Sequence, residues 1–120
     1  MDVMTGYTAR FDASHSIQGW AGHDRTHGHS FEVSVTLEGE LNPALGAVRG
    51  AETLKGYVDD LIRELDNRDL DDMLQGVVSG PTGLAAYFME RLAIWFPTIT
   101  TVTVRCSDGM RGGIKRSRRQ

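Results

Sequence analysis

An alternating segment in the first third of the chain constrains the fold more than any other feature. From Gly28 to Gly39, histidine, aromatic and aliphatic residues take turns with polar ones. This period of two is typical of a β-strand with one buried face. A similar alternation runs from Val3 to His15 and ends on a histidine. Two such segments joined by a glycine-containing loop predict neighbouring antiparallel strands.

All four histidines of the chain lie between residues 15 and 29. His27 and His29 are two positions apart, so both imidazoles lie on the same face of an extended chain. Antiparallel pairing would bring His15 alongside them. Three imidazoles without a fourth protein ligand are typical of a catalytic zinc site, which keeps one position open. The alternative is a polar His-Gly-His loop that binds no metal.

The remaining segments predict an α+β domain. Leu54 to Leu65 has apolar residues at helical spacing, which predicts a first helix. A second helix is predicted to start near Thr82, as its N-cap, and to have an apolar stripe that extends to Trp95. Ile99 to Cys106 predicts a third strand, and a short fourth could form around Ile114. Two helices can cover one face of an antiparallel sheet, which gives a two-layer sandwich. We expect the histidines on the other face of the sheet, packed against a neighbouring chain.

The motifs around the histidines carry a family resemblance. The segment FDASH at residues 11–15 and the segment HGHSFEV at residues 27–33 resemble the 6-pyruvoyl- and 6-carboxy-tetrahydropterin synthase superfamily. Weaker matches follow at residues 65–66 and 81–82. The resemblance implies a tunnelling fold, in which strands of several subunits join into a barrel within a homo-oligomer, a trimer or a hexamer. It also implies Zn²⁺ bound by His15, His27 and His29.

The chain departs from the family pattern at its other functional positions. His23 stands where the family has its catalytic cysteine, and Asp66 is kept while Asn67 replaces the histidine that follows it. Cys106 replaces the glutamate that anchors the pterin ring, and a neutral thiol cannot accept two hydrogen bonds from a pterin. We therefore expect a divergent member with a different substrate.

Two residues are candidates for proton transfer. The imidazole of His23 is suited to general acid–base catalysis, since a histidine side chain can both take up and release a proton. It could instead be a fourth metal ligand or a bystander in the loop. Asp66 could orient an imidazolium, as carboxylates do in other dyads, or be a solvated acid in an acidic link.

Three further residues are candidates for substrate binding. Trp20 could be a lid over the substrate, part of a subunit contact or an anchor for its loop. Cys106 could be a nucleophile, although a buried structural thiol is the favoured interpretation for a strand with apolar neighbours. Arg105, like Arg111, could meet a carboxylate or phosphate of the substrate, with solvated surface as the default.

Charge and composition limit the partners and the location. The net charge is −3, yet residues 111–120 hold five basic residues and no acid, so the rest of the chain has 8 basic and 16 acidic residues. We assign residues 1–110 to one domain and 111–120 to a basic tail. The acidic body argues against nucleic-acid binding, and no apolar run is long enough for a membrane span. The N-terminus lacks signal-peptide features, and the single cysteine suits a cytoplasmic protein.

The leading functional hypothesis is a zinc-dependent lyase or cyclase that acts on a small molecule other than the usual dihydroneopterin triphosphate. A second hypothesis keeps a pterin or a purine-derived substrate, bound by altered contacts. A third is a non-catalytic, metal-stabilised oligomer that binds a small ligand.

Overall fold

The computed structural model describes residues 1–76 and 79–117, which form an α+β fold built on one mixed, six-stranded sheet. The strand order is β4-β1-β2-β5-β6, and β3 pairs with β2. The strands are β1 (Asp2–His15), β2 (His27–Asn42), β3 (Ala47–Val48), β4 (Arg68–Asp69), β5 (Ile99–Cys106) and β6 (Arg111–Lys115), and the helices are α1 (Ala51–Leu65), α2 (Leu70–Met73) and α3 (Pro81–Ala93). The predicted fold class is confirmed, except that the short β4 runs parallel to β1.

The two histidine-bearing strands pair as expected. β1 and β2 are antiparallel from Asp2 opposite Glu40 to His15 opposite His27. Phe11 and Phe31 face each other in this ladder, and their rings stack with centroids 5.1 Å apart. The long, uninterrupted register places the end of β1 beside the start of β2, and thereby fixes where the histidines meet.

One face of the sheet packs against the helices and forms the core. Apolar side chains of β2 and β5 point at α1 and α3, and Phe88 of α3 is fully buried beside Phe11. β6 approaches α3 very closely, since a Cβ on Gly112 would clash with Oγ1 of Thr82 and lie 2.6 Å from its backbone nitrogen. Only glycine allows this strand to cross the first turn of the helix at that distance.

The second helix differs in detail from the prediction. Its N-cap is Gly80 and Pro81 occupies its first turn, so Thr82 lies inside the helix and is not its cap. Proline suits this position because its missing N–H would be unpaired there in any case. Trp95 is 61% exposed and does not belong to the apolar stripe, whereas Phe96 is buried in its place.

The boundary placed at residue 110 is not a structural one. Residues 111–115 of the assigned basic tail form β6, the edge strand next to β5. Arg116 extends this attachment, since its Nε donates to the carbonyl oxygen of Ile99 at 2.6 Å. Arg118 and Arg119 lie outside the described residues.

The other face of the sheet is polar, which corrects one of our expectations. We expected the histidines on the face that the helices leave open, against a neighbouring chain. They instead share the buried, helix-covered face with Phe31 and Cys106, as strand alternation requires. The uncovered face carries hydroxyl and charged side chains such as Thr8, Arg10 and Ser34. A homo-oligomer therefore stays a prediction, without an open apolar face to support it.

Within the described residues, no helix combines the length and the apolar character needed to cross a membrane.

Candidate metal centre and active site

The histidine cluster forms where the first two strands meet. His15 ends β1 directly opposite His27, the first residue of β2, and His29 follows on the same face. His23 comes from the intervening loop. That loop is closed by backbone hydrogen bonds from Ile17 N to His23 O (2.7 Å) and from His23 N to Trp20 O (2.8 Å). Strand register and loop turn therefore bring the four imidazoles together.

The four rings are close enough to share one ion. One nitrogen of each histidine lies within 4.8 Å of the corresponding nitrogen of every other one. The three strand histidines are the most compact part, with ring centroids 4.6 to 5.0 Å apart. The structure thus brings His15, His27 and His29 together as predicted, with His23 beside them.

Each strand histidine uses Nδ1 for a hydrogen bond, which leaves Nε2 available as a metal ligand. His15 Nδ1 donates to the carbonyl oxygen of Ser79 at 2.8 Å, and His27 Nδ1 donates to that of Arg25 at 2.6 Å. Because a carbonyl can only accept, these bonds place the proton on Nδ1 and leave a lone pair on Nε2. His29 Nδ1 lies 3.3 Å from Ser107 Oγ.

The free nitrogens are buried and have no partner. Among the described residues, the side-chain atoms in this condition are Nε2 of the three strand histidines and Nδ1 of His23. A buried polar atom without a hydrogen bond is costly, so a convergent group of them indicates a ligand. Three or four imidazole nitrogens without a nearby thiolate are a donor set that suits Zn²⁺ and similar divalent ions. The residues present therefore fit a metal.

Burial keeps part of this donor set neutral. His15 is only 1% exposed, and this burial lowers its pKa below the usual 6.5, against the opposing effect of its hydrogen bond to Ser79. Burial likewise lowers the pKa of His29, although Asp108 opposes the shift. Neutral imidazoles are the metal-binding form, so the shifts favour a metal at neutral pH.

Asp71 stabilises the site indirectly, through Ser16 and Ser79, and was not predicted from the sequence. Its carboxylate accepts hydrogen bonds from Ser16 N (2.8 Å), Ser16 Oγ (2.6 Å) and Ser79 Oγ (3.0 Å). Burial alone would raise the pKa of Asp71, but these hydrogen bonds outweigh burial and lower it. Asp71 thereby fixes Ser79, whose carbonyl oxygen holds His15.

Asp108 is a second residue that the sequence analysis did not find. It lies in the turn after β5. Its Oδ2 is 3.6 Å from Nε2 of His23 and 3.9 Å from Nε2 of His29. A signal did exist, because the end of an antiparallel β5 must lie beside the start of β2, where the histidines are.

Asp66 does not have the position that its predicted role, orienting an imidazolium, requires. Its Oδ1 accepts a hydrogen bond from the backbone N–H of Asp12 at 3.0 Å. Within residues 1–76 and 79–117, no hydrogen bond or ion pair joins Asp66 to a histidine. Asn67 next to it adopts a left-handed conformation and donates its N–H to Asp12 O. The observed contacts are those of a residue that anchors the turn after α1.

The three predicted substrate-binding residues lie in different places. Trp20 is 41% exposed, and its ring meets His23 edge-on at 5.8 Å. Cys106 is buried opposite Phe31, and this burial raises the pKa of its thiol to about 12. Such a thiol is a poor nucleophile at neutral pH. Arg105 lies on the uncovered face of the sheet, away from the histidines.

Comparison with known proteins establishes the relationship that the motifs suggested. Residues 6–113 match the family model described as 6-pyruvoyl tetrahydropterin synthase. The chain belongs to this family. The match extends from the middle of β1 into β6, so it includes the whole sheet core and all three helices. The resemblance read from the histidine motifs is therefore confirmed.

Individual relatives within the family differ in activity. The dihydroneopterin monophosphate aldolase of Pyrococcus furiosus is 32% identical over 114 residues, or 93% of this chain and 82% of the relative. The human 6-pyruvoyl tetrahydrobiopterin synthase is 37% identical over 70 residues, which span 55% of this chain and 48% of the human protein. The structure of Caenorhabditis elegans 6-pyruvoyl tetrahydropterin synthase has a TM-score of 0.82 at 23% identity, covering 98% and 97% of the two chains. That likeness supports the fold.

Proposed function

We propose that the protein is a zinc-dependent lyase that cleaves a carbon–carbon bond in the hydroxylated side chain of a small, phosphorylated, pterin-like substrate. The observation that carries the proposal is the group of three buried Nε2 atoms, on His15, His27 and His29, that converge without partners while each Nδ1 has a hydrogen-bond partner. Such an arrangement is costly in a protein that binds no ion.

In this proposal His15, His27 and His29 hold the ion. When bound, zinc supplies a Lewis acid that polarises oxygen atoms of the substrate. The hydrogen bonds from Nδ1 to Ser79 and Arg25 orient two of the rings, as outer-shell partners do in other metal sites. His15 closes the buried side of the cluster, while His23 and His29 are reached from the loop side, where exposure is greater.

His23 is the proposed proton acceptor. Aldol cleavage begins with loss of the proton from the hydroxyl group on the carbon that becomes the new carbonyl. The electron pair of the broken bond passes to the other carbon, which is conjugated with the ring of the pterin-like substrate, and that carbon then takes up the proton that the base returns. Nδ1 of His23 is buried without a hydrogen-bond partner, and Nε2 lies 3.6 Å from Oδ2 of Asp108. A carboxylate at that distance orients the ring and favours the imidazolium that forms when Nδ1 takes the proton. The loop histidine and Asp108 would replace the proton-transfer residues that this chain lacks.

Similarity favours a pterin-type substrate. The aldolase from Pyrococcus furiosus matches nearly the whole chain, whereas the human synthase matches little more than half of it. An aldol cleavage also needs a Lewis acid and a base, and the three proposed zinc ligands and His23 are the candidates for holding the one and acting as the other. The proposal therefore retains the pterin-like substrate of the second hypothesis and an aldolase type of reaction.

A non-pterin substrate is the second candidate, and Cys106 favours it. The residue at the pterin-anchoring position is a thiol that burial keeps protonated, so it offers no carboxylate to a pterin ring. A hydroxylated carbonyl compound without a guanidine-like edge would not need one. The metal and His23 would serve either substrate in the same way.

One panel of assays tests these proposals. The zinc-loaded protein is incubated with dihydroneopterin monophosphate, dihydroneopterin triphosphate and non-pterin hydroxycarbonyl phosphates, and the products are separated by chromatography. We expect aldol cleavage of the monophosphate and no efficient conversion of the triphosphate to a 6-pyruvoyl product. Turnover of non-pterin compounds alone would select the second candidate. Absence of turnover with every compound, in a protein that binds zinc, would support a binding role instead.

The matched variants are His23→Ala and Asp66→Asn. A positioned base contributes ~10²–10⁴-fold to a rate, so His23→Ala should lose activity on that scale while its zinc content stays near one ion per chain. Asp66→Asn should keep most of the activity, since Asp66 contacts the backbone of Asp12 and not the cluster. Full activity of His23→Ala would refute the proton-transfer role. Loss of zinc from that variant would make His23 a ligand.

A further inference from the structure

A row of four charged residues crosses the uncovered face of the sheet. Arg10, Glu32, Arg105 and Arg111 stand directly opposite one another on β1, β2, β5 and β6. Glu32 therefore has an arginine on each side. Arg105 and Arg111 form a like-charged cross-strand pair, which is destabilising unless another group compensates it.

The only acid of this row is already engaged by Arg10. Oε2 of Glu32 lies 2.9 Å from one terminal guanidinium nitrogen of Arg10 and 3.1 Å from its Nε. Among the described residues, no hydrogen bond or ion pair to a carboxylate is formed by Arg105, Arg111 or Lys115. The chain carries more acids than bases, so three uncompensated cations on one surface are notable.

These cations surround a hollow between the last two strands. The hollow has a volume of about 670 Å³ and is lined by Arg105, Arg111, Lys115, two threonines and two glycines, with no acid among them. Gly113 lies opposite Thr103, so the floor between Arg111 and Lys115 is backbone without a side chain. A small anion could thus reach hydroxyl groups and cations together.

We propose that this hollow binds a phosphate group. Guanidinium groups bind phosphate oxygens through paired hydrogen bonds, and a lysine adds a positive charge without a fixed geometry. An anion between Arg105 and Arg111 would also remove their mutual repulsion. The site lies on the sheet face opposite the histidine cluster, and it does not rest on the proposed lyase activity.

Phosphate at this position has two sources, free phosphate and the phosphate of a bound substrate. The surface between the hollow and the cluster is continuous: Arg105 also lines a neighbouring cleft with Ser107, and Ser107 lines a third cleft that reaches His29. Both sources share the same recognition chemistry, so experiment has to separate them.

Titration calorimetry with inorganic phosphate at low ionic strength tests the site. We expect saturable binding of one phosphate per chain to the unmodified protein. Arg105→Gln and Arg111→Gln should each weaken it roughly tenfold or more, since charged hydrogen bonds are lost. Arg63→Gln removes the same charge from α1, where Arg63 pairs with Asp60, and should leave binding unchanged.

Glu32→Gln adds a test that a folding defect cannot imitate, because it should tighten binding by removing the negative charge beside Arg105. Folding of every variant is checked by its thermal transition, and zinc content is measured in the same samples. Absence of saturable binding, or an equal loss in Arg63→Gln, would overturn the proposal whatever the outcome of the lyase assays.

A second arm compares dihydroneopterin monophosphate with unphosphorylated dihydroneopterin. If the hollow takes the substrate's phosphate, Arg105→Gln weakens binding of the monophosphate alone, and inorganic phosphate competes with it. If the hollow takes free phosphate, both pterins bind the variant and the unmodified protein equally. Either result supports a phosphate site and assigns its source.

Discussion

Removal of the metal should lower the thermal stability of the protein by a predictable amount. An ion that binds only the folded state stabilises it by RT ln(1 + [L]/Kd), or about 4 kcal/mol when free zinc is a thousandfold above Kd. For a chain of this size, 1 kcal/mol shifts Tm by about 4 °C, between the values for smaller and larger domains. We therefore expect the chelated protein to unfold about 15 °C below the zinc-loaded protein.

Two variants should reduce this zinc-dependent shift in Tm to different extents. His27→Ala combined with His29→Ala removes two of three proposed ligands and should abolish the zinc-dependent shift. Ser107→Ala keeps all three proposed ligands but removes the Oγ atom that lies 3.3 Å from His29 Nδ1 and accepts from Ser30 N at 3.2 Å. Loss of such an outer-shell partner typically weakens metal binding by ~10–100-fold, so roughly half of the shift should remain. Differential scanning calorimetry with and without zinc measures all three proteins.

The same experiment has a defined pH dependence. Burial lowers the pKa of His15 and His29 in the folded state, so the unfolded chain binds more protons below pH 6.5. Stability of the metal-free protein should therefore be fully present above pH 6.5 and fall as the pH drops below it. Protons also compete with zinc in that range. Equal Tm values with and without zinc at pH 7.5, or a full zinc shift in the double variant, would refute the reasoning.

Two further predictions concern the core and the thiol. Phe88→Ala should lower the free energy of unfolding by ~3–5 kcal/mol because its ring is fully buried. Trp95→Ala, at a site 61% exposed, should lower it far less. Comparable losses in denaturant titrations would contradict the packing described. Cys106, whose pKa burial raises to about 12, should react with iodoacetamide at pH 8 about a thousandfold more slowly in the folded than in the urea-unfolded protein. Equal rates would show an accessible thiol.

Local patterns were sufficient to predict the four longer strands and the convergence of the three strand histidines, but not the two-residue strands β3 and β4. Alternation fixes which residues share a face of the sheet. His15, His27 and His29 lie at odd-numbered positions of two paired strands, so their side chains share one face. The face itself was assigned wrongly. The helices cover the apolar side of the sheet, so histidines that alternate in phase with Phe31 and Val33 had to lie on the covered side.

Residues that act through turns and distant segments were harder to predict. Asp108, Ser79 and Asp71 have no periodic pattern, and each reaches the cluster only because a different segment ends there. Asp71 resembled its acidic neighbours in the sequence, and nothing local distinguished it. Only the register of β5 on β2 could have indicated Asp108 in advance.

The same difference in support separates the proposed metal ligands from the proposed proton-transfer group. His15, His27 and His29 are positioned by a ladder of fourteen residue pairs, so their geometry persists as long as β1 and β2 fold. His23 and Asp108 instead lie on two different turns, outside the strands, with His23 Nε2 3.6 Å from Asp108 Oδ2. Replacing a residue on a turn costs little packing, whereas replacing a ladder histidine such as His15, which is buried, would leave a cavity beside the remaining imidazoles. The scaffold therefore holds the proposed metal donors firmly and leaves the position of the proposed base, His23, to the loops.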